Sequence, residues 1–171
     1  LALTANGSLW SWGGGGYGSL GHGDEQYQLR QPKKIQALEG QSVIAAAAGG
    51  THSLAITTDG AVWSWGDGGS DLLGHGDEQD QLLPKKIETF AGQRVIAVSA
   101  VFAHSLAFTA DGALWSWGCG RDGRLGHGDE HNQLLPRKIE ALAGLRIVAV
   151  APGYFHSLAL TADGALWSWG D

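Results

Sequence analysis

The sequence predicts an all-β fold, a partial ring of four-stranded antiparallel β-propeller blades, and three observations carry the prediction. The stretch Leu-Trp-Ser-Trp-Gly stands at 9–13, 114–118 and 166–170, with Val-Trp-Ser-Trp-Gly at 62–66. Trp10, Trp63, Trp115 and Trp167 are therefore 53, 52 and 52 residues apart, a period that marks a repeat architecture. Other landmarks keep the same phase: Leu-Gly-His-Gly-Asp-Glu from Leu20, Leu73 and Leu125, Pro-Lys/Arg-Lys-Ile from Pro32, Pro84 and Pro136, and His-Ser-Leu-Ala from His52, His104 and His156. Finally, each unit reads as four short strands between glycine, proline and Asx signals with no helical periodicity, the pattern of radially repeated blades. Residues 1–171 are thus expected to form one partial propeller, with repeats at about 1–53, 54–105 and 106–157 and a partial one at 158–171.

Each repeat begins with a hairpin. Asn6-Gly7, Asp59-Gly60, Asp111-Gly112 and Asp163-Gly164 lie between short alternating runs, which is a strong local hairpin signal. A two-residue turn at Asp59-Gly60 would set Ile56 opposite Trp63 and Leu54 opposite Trp65, collecting the large side chains on one face. Ala55, Thr57, Val62 and Ser64 would form a small opposite face, so that neighbouring sheets could stack large on small. In the same register His52 faces Asp67, His104 faces Cys119 and His156 faces Asp171.

A glycine-dense bend follows the tryptophans, then Leu-Gly-His-Gly-Asp-Glu and a polar tract such as Gln26 to Gln31, all expected as loop. Pro32, Pro84 and Pro136 can open strands, since a first position need not donate to the ladder. Strands are expected near Lys33 to Leu38, Lys85 to Phe90 and Arg137 to Leu142. The most apolar runs, Val43 to Ala48, Val95 to Ala100 and Ile147 to Ala151, read as strands buried on both faces and innermost in the blade.

Composition sets the outer limits. A chain with 43% hydrophobic and 16% charged residues is globular in character, and its net charge of −6 disfavours a nucleic-acid partner, whose affinity depends on clustered Lys and Arg. The apolar runs are too short for a membrane helix, so no membrane partner is expected. Cys119 is the only cysteine, which excludes an intrachain disulfide and fits a reducing, intracellular compartment, cytoplasm or nucleus, better than secretion. With no methionine and Leu1 already inside the pattern, the chain is expected to be an excerpt of a longer protein. The remaining blades would come from that parent chain rather than from a second copy.

The order Val-Ile-Ala-Val, Gly-x-x-His-Ser-Leu-Ala, Thr-x-Asp-Gly-x-Leu-Trp-x-Trp-Gly, Leu-Gly-His-Gly-Asp and Pro-x-x-Ile resembles the repeats of the regulator of chromosome condensation family over the whole chain. The resemblance implies a propeller, usually of seven blades. It also implies a range of functions: nucleotide exchange on the small GTPase Ran, ultraviolet-B sensing in plants, or an adaptor role in large ubiquitin ligases. Where the family often has Gly-x-Asn after Trp-Gly, this chain has Gly14 to Gly16, Asp67 to Gly69 and Cys119 to Arg121, so a hydrogen bond from such an asparagine is expected to be absent. Ala100-Val101-Phe102-Ala103 lacks the glycine found at Gly49 and Gly153, so that turn is expected to differ. No tryptophan occupies the photoreceptor's Gly-Trp-Arg-His-Thr position, which disfavours light sensing. The even spacing leaves no room for the exchange factor's strand insertion.

Candidate site residues divide by what repeats. His52, His104 and His156 invite a catalytic or metal reading, but a function repeated once per blade is more often architectural, here a blade-edge cap bonding to backbone or carboxylate. Trp10, Trp12, Trp63, Trp65, Trp115, Trp117, Trp167 and Trp169 fall in strict pairs and are expected to fill space between sheets, each donating one hydrogen bond. The Gly-Asp tracts do not recur every nine residues as calcium-binding repeats do, and Gly13 to Gly18 lacks the helix and Lys-Ser/Thr of a phosphate loop. No catalytic motif, cofactor site or metal site is expected. The candidate binding rim consists of acidic Asp24, Glu25, Asp77, Glu78, Asp129 and Glu130 alternating with basic Lys33, Lys34, Lys85, Lys86, Arg137 and Lys138. The reading that follows is a non-catalytic scaffold for another protein, with a guanine-nucleotide exchange factor for a Ran-type GTPase as the alternative.

Overall fold

The computed structural model describes residues 1–25 and 28–171. Gln26 and Tyr27, at the start of the polar tract expected as loop, lie outside the described residues. Among the described residues fourteen strands form four antiparallel sheets: β1 (Ala2–Leu3), β2 (Leu9–Gly14) and β3 (Gln28–Lys34); β4 (Val43–Ala48), β5 (His52–Thr57), β6 (Val62–Gly66) and β7 (Gln81–Lys86); β8 (Val95–Val101), β9 (His104–Thr109), β10 (Leu114–Gly118) and β11 (Gln133–Lys138); and β12 (Ile147–Pro152), β13 (His156–Thr161) and β14 (Leu166–Gly170). Within each sheet the strands follow chain order, the up-and-down meander of a propeller blade. Of the first strands, β4 lies against β8 and β8 against β12, so they converge on the inner side, as the sequence predicts.

Three expectations need correction. The hairpin register is shifted by one residue: Ile56 pairs with Val62, Leu54 with Ser64, Ala55 with Trp63 and Ser53 with Trp65. The cause is a three-residue turn, in which the Thr57 N–H donates to Ala61 O at 3.0 Å. Gly60 has φ +82° while Asp59 stays at negative φ, so the Asp-Gly pair cannot form the turn that needs two left-handed residues. The Asp59 carboxylate instead accepts from Thr57 Oγ1 at 2.6 Å and from the Ala61 N–H at 3.2 Å. Each blade consequently has an indole face, where small Ser53 and Ala55 sit across from Trp65 and Trp63, and an aliphatic face of Leu54, Ile56 and Val62.

The outer strands also begin earlier than expected. β3, β7 and β11 start within the polar tract and run past the prolines, and the segments expected as strand beyond them turn into 3-10 helices at Gln36–Leu38, Glu88–Phe90 and Glu140–Leu142. Proline is tolerated because these are edge strands with one neighbour. The most apolar strand, lastly, is not the one buried on both faces. Ile44, Ile96 and Val148 remain 44–50% exposed, whereas every residue of β5 and β9 is buried. A second strand has partners on both sides and a blade on each face; a first strand has a neighbour on one side only.

Blades stack indole face on aliphatic face. Trp65 and Ala55 pack on Leu9, Ile35 and Leu38 of the preceding blade, while Trp117 and Ala107 pack on Leu54, Ile56, Val62 and Phe90. Phe90 meets Trp115 and Trp117 edge-on, with ring centroids at 5.6 and 5.9 Å.

Candidate functional site

The recurring polar residues are consumed by the stack. Trp65 Nε1 donates to Ser19 O at 2.9 Å, Trp117 Nε1 to Leu72 O at 2.9 Å and Trp169 Nε1 to Arg124 O at 2.8 Å, each acceptor lying in the preceding blade. Only the second tryptophan of a pair does this. The Nε1 atoms of Trp10, Trp63 and Trp115 are buried without a partner, contrary to the expectation of one bond for each indole. Glycine makes the contact possible: a Cβ on Gly74, at φ +77°, would lie 3.1 Å from Trp117 Nε1.

The histidines reach neither backbone nor carboxylate, and they face Gly66, Gly118 and Gly170 rather than residues 67, 119 and 171. His52 Nε2 lies 2.8 Å from Ser105 Oγ and His104 Nε2 2.9 Å from Ser157 Oγ, so each imidazole bonds to the next blade. The Ser157 hydroxyl already donates to Arg124 O at 2.9 Å, which makes His104 Nε2 the donor. Nδ1 of both rings is buried without a partner. Burial depresses the pKa of each to about 4, and for His104 the Arg124 charge adds to the effect. His156 is exposed.

A second histidine set escaped sequence reasoning. Ser11, Ser64 and Ser116, each between two tryptophans and fully buried, donate to Leu20, Leu73 and Leu125 O at 2.7 Å. They accept from Nε2 of His22, His75 and His127 at 2.8–2.9 Å. Burial is the main cause holding these three imidazoles below their usual pKa, His75 at about 4. A polar residue repeated between the two tryptophans of every pair was the available signal.

At the rim, acid and base meet within a blade. Lys85 lies 3.8 Å from Asp77 and Arg137 3.6 Å from Asp129, while Lys34 pairs with Glu39 at 3.2 Å. Glu25, Glu78 and Glu130 are exposed, as is Lys33, whereas Asp24, Lys86 and Lys138 are half-buried. The bend after Trp65 does carry a side-chain bond: the Asp67 carboxylate accepts from the Gly69 N–H at 2.8 Å and from Thr51 Oγ1 at 3.0 Å. The turn without glycine also differs as expected, since β8 extends through Val101 to pair with His104.

Sequence reasoning missed a cluster that does not repeat. Phe102 and Tyr154 stack at 4.7 Å, Tyr154 is 5.9 Å from Phe155, and the Arg124 guanidinium lies 5.1 Å from the Phe155 ring. No group of three or more metal-ligating side chains is found among the described residues.

The profile of the Regulator of chromosome condensation (RCC1) repeat matches residues 6–56, 59–108 and 111–160. Over 171 residues the chain is 41% identical to the human E3 ubiquitin-protein ligase HERC2, covering 99% of this chain and 4% of that protein. It is 40% identical over 170 residues to the Arabidopsis thaliana ultraviolet-B receptor UVR8, of which it covers 38%. Among solved structures, Prp20p of Saccharomyces cerevisiae superposes with a TM-score of 0.83 at 27% identity, over 99% of this chain and 42% of that one. Human WBSCR16 gives 0.84 at 26% identity, over 98% and 44%. The chain thus spans less than half the length of each.

Proposed function

The chain belongs to the regulator of chromosome condensation repeat family, and from that premise we propose that residues 1–171 form one partial propeller whose work is non-catalytic: a rigid scaffold that presents its loops and rim to a partner protein. One observation carries this reading. The histidine–serine pairs that would be read as base and nucleophile are sealed between blades, with His52 at 1% and His104, Ser105 and Ser157 at 0% exposure. A base must come within hydrogen-bond reach of a substrate proton, and no substrate reaches these. The recurring polar chemistry serves the stack, leaving recognition to the loops, where a rigid β scaffold ordinarily carries it.

The charged rim, Asp24 to Lys34 and its equivalents in the next two blades, is part of this proposal, as is an intracellular setting based on the single buried thiol. The ligase activity named for HERC2 is not transferred, because the match covers 4% of that protein. The alternative, guanine-nucleotide exchange, draws on Prp20p, whose structure was determined together with its binding properties to Gsp1p and histones. Release of a fluorescent guanine nucleotide from a panel of small GTPases separates the two. The scaffold predicts no change over the intrinsic rate, and a robust, concentration-dependent acceleration would overturn it.

A further inference from the structure

In a repeat protein, residues that build the frame recur at the repeat interval. Residues that change at equivalent positions and yet gather in space are released from that duty. One such gathering stands out. Moving from the second blade to the third at the 52-residue interval, Asp67 becomes Cys119, Asp80 becomes Asn132, Gly69 becomes Arg121 and Leu72 becomes Arg124. Asp71 also gives way to Gly123 while Ser70 becomes Asp122, so three carboxylates are lost, one is gained and two guanidiniums are added within one loop region of a chain whose net charge is −6. At the adjoining turn Gly50 becomes Phe102 and then Tyr154.

These changes converge on one cavity of about 410 Å³ lined by Phe102, Phe155, Arg121, Arg124 and Asn132. Its walls are stiff. Arg124 is only 3% exposed, and its guanidinium donates from Nε to Arg121 O at 2.8 Å, from Nη1 to Tyr154 O at 3.0 Å and from Nη2 to the Asp122 carboxylate. Asn132 Oδ1 accepts the Gly120 N–H at 2.9 Å, which leaves its amide nitrogen as a donor. Arg121 is exposed and has no side-chain partner among the described residues. Phe102 stays 48% exposed even though Tyr154 stacks on it and Gly50 lies beneath it. The cavity therefore joins apolar rings to cationic and amide donors, with the one acid, Asp122, tied to Arg124.

We propose that this cavity docks a segment of a partner protein in which a carboxylate neighbours an aromatic or large aliphatic side chain. The carboxylate would meet Arg121 and Asn132, a geometry suited to charge-assisted hydrogen bonds, and the apolar side chain would pack between Phe102 and Phe155. The inference rests on the scaffold reading and gives it a site and a ligand chemistry.

The test is a titration of the isotope-labelled full chain, followed by amide chemical shifts, with a capped octapeptide alternating aspartate with phenylalanine or leucine. Two control peptides replace every aspartate by lysine or every apolar residue by serine. The proposal expects saturable shifts at Ala103, Cys119 and Arg121 with the first peptide alone. Arg121→Glu and Phe102→Ser should each weaken binding about tenfold or more, the order of one lost charge-assisted or buried apolar contact. Arg121 is exposed, so unchanged thermal unfolding is expected for Arg121→Glu, whereas Phe102→Ser loses its stack on Tyr154 and should unfold slightly earlier but still cooperatively, which checks that both variants fold. No shifts at those amides, an equal response to the lysine peptide, or full affinity in Arg121→Glu would each overturn the cavity assignment. Such a failure would leave the scaffold reading standing if a partner still bound the charged rim, whereas accelerated nucleotide release would remove the scaffold reading itself.

Discussion

At the scale of single residues, Gly74 illustrates how the repeat's glycines are spent. Its backbone is left-handed and its missing Cβ admits the Trp117 indole. Gly74→Ala should destabilise the fold by roughly 2–4 kcal/mol, combining the cost of positive φ with overpacking, as read from denaturant midpoints. Asp71 presents the opposite case. It stands at φ +65° where the neighbouring repeats have Gly18 and Gly123, and its Oδ1 is buried without a partner. Asp71→Gly is expected to stabilise by about 1 kcal/mol, since it relieves the backbone and removes an unsatisfied acceptor; a lower unfolding temperature would show that the carboxylate has a partner that matters. The spacing of the motifs made Gly74 legible as a repeat landmark. That its vacancy belongs to an indole 43 residues later required the stacked blades.

At the scale of the element, the hairpins depend on a three-residue turn held by a carboxylate. The same arrangement recurs, with Thr109 donating to Asp111 and Thr161 to Asp163, and each of these aspartates is held below its usual pKa chiefly by the threonine hydroxyl. Asp59→Ala should cost on the order of 1 kcal/mol and raise amide exchange at Thr57 and Ala61 ahead of the rest of the blade. Asp-Gly was legible as a turn, but its length was not. The two-residue and three-residue solutions share that dipeptide and differ only in whether the aspartate takes positive φ. A shift of one residue moves every side chain's partner, which is why the predicted faces were wrong although the strands themselves were right.

At the scale of the whole molecule, the stack carries an acid limit. His52 and His104 have pKa values of about 4 in the fold and about 6.5 when unfolded, so between those values the unfolded chain binds the extra protons. Stability is then fully present above pH 6.5 and falls as pH drops toward 4, by roughly 3 kcal/mol for each buried imidazole. Denaturant unfolding across this window should show the loss, and His52→Gln, which has no protonation to resist, should flatten the curve; an unchanged pH slope in that variant would show that the buried His52 imidazole is not its source. By itself the sequence determined the all-β class, the 52-residue repeat, the family and the pairing of the tryptophans, because a fixed period and local turn chemistry are properties of the chain's own order. Only the tertiary structure decided the hairpin register, which indole of each pair finds a carbonyl, and that the histidines bond across blades to serines. It alone also gathered Phe102, Arg121, Arg124 and Phe155 around one cavity. Those outcomes depend on contacts between residues some 30 to 50 positions apart, and on positions that break the repeat, where periodicity carries no information.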